Sequence, residues 1–141
     1  MTIREYLEQV RESMLYLRQQ NEDLRMAELM ASNPIKRDLD SMVLSMDEKR
    51  RELGRLTRET TERGKQAYAL IGFLPDRKQR EAMLAYYVYG LTEGAAMKRG
   101  RYRSHIEMQR AMAQGLKELN RIAFEMHKEK HKQREGRQCL N

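Results

Sequence analysis

Ile3, Leu7, Val10, Met14, Leu17, Asn21, Leu24 and Glu28 follow an unbroken 4-3 alternation, which places them on one narrow seam of a helix. Thr2 and Glu5 stand ahead of that run at capping-box spacing, so hydroxyl and carboxylate can satisfy the amides a helix start leaves unpaired, and a helix is predicted from about residue 3. Arg4, Arg11, Arg18 and Arg25 recur every seventh residue beside the seam. The pattern admits two readings: a helix packed inside a hairpin, or a coiled-coil strand whose buried Asn21 selects register. Extra apolar residues at Tyr6, Leu15, Tyr16 and Leu29 widen the stripe and favour the hairpin.

Breaks in the chain are few. Ser32-Asn33-Pro34 should form a turn, because proline disfavours helical geometry at the preceding residue and lacks an amide hydrogen. A second long helix is predicted from about Asp38 to Phe73, with Met42, Met46, Leu53, Leu56, Thr60, Ala67, Leu70 and Ile71 on one face. Its middle is so polar that it must lean on the first helix or on another chain, and Gly54 and Gly64 invite bending or fraying. Gly72-Phe73-Leu74-Pro75-Asp76 forms the next break. With no Trp, two Pro and 35% charged residues, the chain is poor material for a β-sandwich and good material for long solvated helices, so the expected class is all-α.

Charge divides at Pro75. Residues 1–75 hold 13 basic and 13 acidic side chains, and residues 76–141 hold 15 and 8, so the whole net charge of +7 lies in the C-terminal part. Such asymmetry suggests a dedicated polyanion-binding end, with nucleic acid the leading partner. The rhythm also changes to shorter elements. Asp76 to Tyr89 reads as a helix with Ala82, Met83, Tyr86, Tyr87 and Tyr89 inward, ended by a left-handed Gly90. Thr92 can cap a short helix over Glu93 to Arg99, stopped by Gly100. Ser104 and Glu107 form another capping box, opening a long helix with Met108, Met112, Leu116, Leu119, Ile122, Ala123 and Met126 on its apolar side. Beyond about Lys128 no apolar face remains, and a frayed, solvated tail is expected.

Helix, short helix, turn and longer helix are the parts of a helix-turn-helix. Residues 96–110 carry five basic side chains, Lys98, Arg99, Arg101, Arg103 and Arg110, against the single acid Glu107. Lys98, Arg99 and Arg101 suit phosphate contact. Arg103, His105 and Gln109 are placed to reach bases, and Arg110, two turns into the helix, suits either a base or the flanking phosphates. Ser104 stands at the helix start, where partial positive charge and free amides suit a phosphate. A solvated basic surface is the competing structural explanation.

Leu74-Pro75-Asp76, followed by Arg80, Leu84, Tyr86-Tyr87 and Gly90-Leu91-Thr92, resembles the start of the region 4 module of bacterial sigma factors. Asn21-Glu22-Asp23-Leu24-Arg25 with Ala27, in a long leading helix, is similar to the small phage and prophage late regulators of the ArpU and RinA type. Tyr102, Ser104 and Ile106 match the family's turn aromatic, cap and apolar recognition-helix residue at a slightly shifted spacing. Glu93-Gly94-Ala95-Ala96-Met97 departs from its usual acidic pair, large aliphatic residue and alanine. The resemblance implies binding of double-stranded DNA at promoter or control sites to regulate phage genes, with RNA polymerase as a further partner. The expected organisation is a long antiparallel helical hairpin at 1–74, a helix-turn-helix domain at 75–127 and a basic flexible tail at 128–141. A homodimer is one assembly such a hairpin allows.

Other chemistries lack their residues. His127 and His131 lie one helical turn apart, but Lys128, Lys130 and Lys132 would repel a cation and the zincin glutamate is missing, so no metal is expected. Walker, nucleophile-elbow and Cys/His catalytic patterns are lacking, so neither enzymatic activity nor a cofactor is expected. Tyr86, Tyr87 and Tyr89 fit a core better than base stacking, and the 11 Met residues fit core filling better than a promiscuous surface. The single Cys139 excludes an internal disulfide, and without a membrane-length apolar run or a signal-peptide core the expected location is the cytoplasm of a bacterial host. Two further functions compete with the regulator: a DNA-packaging protein of the small terminase subunit type, and a helical protein-protein interaction module.

Overall fold

The computed structural model describes residues 1–31 and 39–139, and within them the chain is all-α. The helices are α1 (Ile3–Ala31), α2 (Leu39–Ile71), α3 (Arg77–Met83), α4 (Glu93–Arg99) and α5 (His105–Cys139), with a π-helical turn at Leu84–Val88 continuing α3. The turn expected at Ser32-Asn33-Pro34 and the side chain of Met42 lie outside the described residues.

The start of α1 follows from its capping box. The Glu5 amide donates to Thr2 Oγ1 at 3.1 Å, and the Thr2 amide donates to Glu5 Oε2 at 3.2 Å. Leu7, Val10 and Leu17 of the seam are buried, whereas Asn21 and Glu28 are exposed. The structure therefore gives no buried Asn21 to select register: the seam is buried only at Leu7, Val10 and Leu17 and half-buried at Met14 and Leu24.

α2 is continuous through Gly54 and Gly64, positions expected to bend or fray it. Neighbours supply what propensity withholds, since Leu53, Thr60, Ala67 and Ile71 are buried and a Cβ on Gly64 would stand 4.0 Å from Val88. α1 and α2 run alongside each other in opposite senses: Arg63 Nη1 meets Ser13 Oγ at 3.0 Å, and Arg50 Nη2 meets Glu28 Oε1 at 3.2 Å.

The core is continuous across Pro75. Leu7 and Val10 of α1, Ala67 and Ile71 of α2, Leu74, and Met83, Tyr87, Ala96, Tyr102, Met108 and Leu119 from later elements belong to one buried cluster. α5 approaches α3 closely enough that a Cβ on Gly115 would lie 2.5 Å from Met83 Sδ. Glycine there permits the approach.

Two stretches depart from the sequence expectation. The helix predicted over Asp76 to Tyr89 loosens into a π turn at Leu84, with the Tyr89 amide reaching back to Leu84 O at 2.9 Å and the Leu91 amide to Ala85 O at 3.0 Å. Gly90, at φ +62°, then turns the chain as expected. Two side chains of α1 occupy the carbonyls this ending frees. Arg11 Nη1 donates to Tyr86 O at 2.6 Å and Leu91 O at 2.8 Å, while Arg18 donates to Gly90 O at 2.8 Å and also to Tyr89 O.

The second departure is α5, which stays helical through Cys139 instead of fraying after Lys128. Lys, Glu, Gln and Arg are good helix formers, so this stretch needs no apolar face to continue the ladder already nucleated at Ser104. Ala123 and Met126, expected on the apolar side, are exposed, and Leu119 is the last buried position.

Candidate nucleic-acid interface

The basic turn is built by three caps and one aromatic ring. Thr92 Oγ1 accepts from the Ala95 amide at 3.2 Å and opens α4. Its end is held by the Gly100 amide donating to Ala96 O at 3.0 Å, the Arg101 amide to Lys98 O at 3.2 Å and the Tyr102 amide to Met97 O at 3.0 Å. Gly100 is not the left-handed residue, since its φ is −81° and Arg101 takes φ +56°. Gly100 is required for space: a Cβ there would stand 2.4 Å from Tyr102 Cε2.

Tyr102 is buried between the guanidinium-bearing residues Arg101 and Arg103 and donates its hydroxyl to Lys78 O. Burial, with Asp76, Glu107 and Glu81 nearby, pushes its phenol up to about 12. This anchor ties the turn to the start of α3, where Asp76 Oδ1 accepts from the Gln79 amide at 3.2 Å. Lys78 Nζ stands 5.3 Å from the centre of the Tyr102 ring.

α5 opens with Ser104 Oγ accepting from the Glu107 amide at 3.2 Å. The reciprocal bond of the expected capping box is displaced by one residue, because Glu107 Oε2 accepts from the Arg103 amide at 3.0 Å. That bond, with Lys78 Nζ 3.5 Å away, holds the Glu107 carboxyl below its ordinary value. Glu107 is thus an acid inside the basic turn, and Lys78 is a cation there that the spacing of basic residues between 96 and 110 did not mark.

Lys98, Arg99, Arg101, Arg103, Ser104, His105, Gln109 and Arg110 are all exposed. Among the described residues, the side chains of Lys98, Arg101, Arg103 and Arg110 make no ion pair. Arg99 instead lies over the Tyr89 ring at 4.7 Å, beside Glu81 and Leu84. His105 Nδ1 faces Glu93 Oε2 at 3.7 Å.

The expected base-reading set is divided. Arg110 lines a hollow with Lys78, Gln79, Tyr102, Ser104 and Ile106, whereas Gln109 lines a different recess with Arg4, Glu93, Tyr86 and Met112. Adjacent helical residues point about 100° apart, and α5 is rotated so that Met108 and Met112 enter the core between these flanks. Ile106, matched by resemblance to an apolar recognition-helix position, is 61% exposed and sits on the Arg110 side.

Among the described residues, no three His, Cys, Asp or Glu side chains gather as metal ligands, and no helix is long and apolar enough to cross a membrane. Comparisons with known protein families, with curated proteins and with solved structures found no match.

Proposed function

We propose that this chain is a DNA-binding regulator of phage or prophage genes. α4, the turn at residues 100–104 and α5 act as a helix-turn-helix, with α1 and α2 as its hairpin scaffold. The observation that carries this reading is the set of four exposed cations, Lys98, Arg101, Arg103 and Arg110, that make no ion pair among the described residues, around a turn whose backbone is fixed by Tyr102 and three side-chain caps. Cations without an ion-pair partner keep their charge for phosphate, and a backbone already fixed leaves only the side chains to be ordered on binding.

Lys98, Arg101, Arg103 and Arg110 hold phosphates, while Ile106, beside Arg110 on the outward flank of α5, meets base edges in the major groove. His105 and Gln109 contribute at the other edge, where Glu93 and Arg4 limit their reach. Phage gene control and an RNA polymerase contact come from the sigma-region-4 resemblance. A homodimer paired through α1 and α2 would present two turns to two half-sites.

The test is a fluorescence titration of labelled duplex from the protein's own genomic neighbourhood. Wild type is compared with an Arg101→Gln/Arg103→Gln variant whose helix content is verified by circular dichroism. Weakening by about tenfold or more supports the reading. Unchanged affinity refutes it.

A further inference from the structure

Helical geometry sorts the α5 positions by face, and five of its eight Lys and Arg fall into a line, while Lys130 and Arg134 lie on the opposite side. At about 100° per residue, Arg110, Lys117, Arg121, Lys128 and Lys132 lie within about 60° of one another and form a straight stripe. All five are exposed. Arg110 and Lys132 are separated by about 33 Å along the axis at ~1.5 Å per residue.

Four of the five acids of the same helix stand apart. Glu107, Glu118, Glu125 and Glu129 lie on a neighbouring stripe centred about 70° further round. Arg121 is engaged by Glu118 and, at 2.8 Å, by Glu125. Arg110, Lys117, Lys128 and Lys132 make no ion pair among the described residues. Every described side chain from Ala123 to Arg134 is exposed.

We infer that this stripe is a second phosphate-binding track, continuous with the basic turn, which extends the contact with duplex DNA past the segment that reads bases. The inference rests on the DNA-binding reading above, because the track begins at Arg110, in the hollow that also holds Lys78, Tyr102 and Ser104. Its length is close to one helical repeat of the duplex, about 34 Å. A lipid surface fits less well, since membrane-lying helices need a broad apolar face and, among the described residues, α5 exposes only Ile106 and Phe124 beside the stripe and Met126 on the far side as large apolar groups.

The test compares wild type with a Lys117→Gln/Lys128→Gln/Lys132→Gln variant on a duplex of about 30 base pairs, roughly three helical turns. Gln keeps helix propensity close to that of Lys, and circular dichroism verifies the helix. Loss of three phosphate contacts makes the log-log salt slope shallower by about 2.7, with preference among duplex sequences unchanged. An unchanged slope, in a protein whose duplex binding still weakens on Arg101→Gln/Arg103→Gln substitution, overturns the track and leaves the DNA-binding reading standing. Absence of salt-dependent duplex binding by wild type overturns both. If the triple variant loses binding to vesicles containing phosphatidylserine while duplex binding is unaltered, the stripe belongs to a lipid surface and the inference fails.

Discussion

The Arg11 guanidinium stands 3.8 Å from the centre of the Tyr86 ring and, through Nη1, donates to the Tyr86 carbonyl at 2.6 Å. The same nitrogen reaches Leu91 O at 2.8 Å, so one side chain of α1 closes the π turn and fixes the segment that leads into α4. The scaffold and the basic turn are coupled at this point. Arg18 adds a second clamp one heptad on, at Gly90 and Tyr89, and the Tyr89 ring in turn carries Arg99.

Replacing Arg11 by Met should destabilise the fold by about 2–4 kcal/mol, since charged hydrogen bonds to two partly buried carbonyls are lost together. Urea unfolding checks this as a lowered midpoint with an unchanged slope. Arg11→Lys should fall between, because an ammonium retains charge and donors but not the planar fork over Tyr86.

Part of the alkaline dependence of stability follows from Tyr102, together with Tyr87 and Tyr6, whose phenols burial also raises. The Tyr102 phenol is pushed up to about 12 in the folded chain against an ordinary value near 10, so the unfolded chain loses that proton first as pH rises. The contribution is fully present below about pH 10 and is lost as pH climbs towards about 12. Chemical denaturation at several alkaline pH values should show this decline, and Tyr102→Phe should make it shallower, with Tyr87 and Tyr6 carrying the remainder.

Glu107 places a negative charge among the cations expected to meet phosphate, while its carboxylate organises the turn through the Arg103 amide. Glu107→Gln keeps an acceptor for that amide and removes the charge. Duplex affinity should rise by about two- to fivefold at moderate salt, and a filter-binding titration checks the direction.

Local signals made much of the fold legible. Thr2 with Glu5, Thr92, Ser104 and Gly90 each act on backbone within a few residues, and each behaves as its chemistry dictates. The seam was legible too, but not how far it would be covered, because the burial of Leu7 and Val10 comes from a cluster that includes residues of the C-terminal elements far along the chain. The heptad arginines were visible as a pattern, yet the carbonyls that receive Arg11 and Arg18 lie more than 70 residues away and are free only because the helix loosens at Leu84. In the candidate interface, the cations of residues 96–110 stood out by count. The rotation of α5 that parts Gln109 from Arg110, and the approach of Lys78, are set by the packing of Met108 and Tyr102.

The salt dependence of duplex binding tests the central claim most directly. Five contacts, as the residue count alone suggests, would give a log-log slope near −4.5; with Arg99 stacked on Tyr89, four remain at the turn and set a floor of about −3.6, steeper when the α5 stripe engages. Titrations of wild type at four or more salt concentrations should give about −3.6 or a steeper value. A slope near zero, or no binding at low salt, would contradict the account.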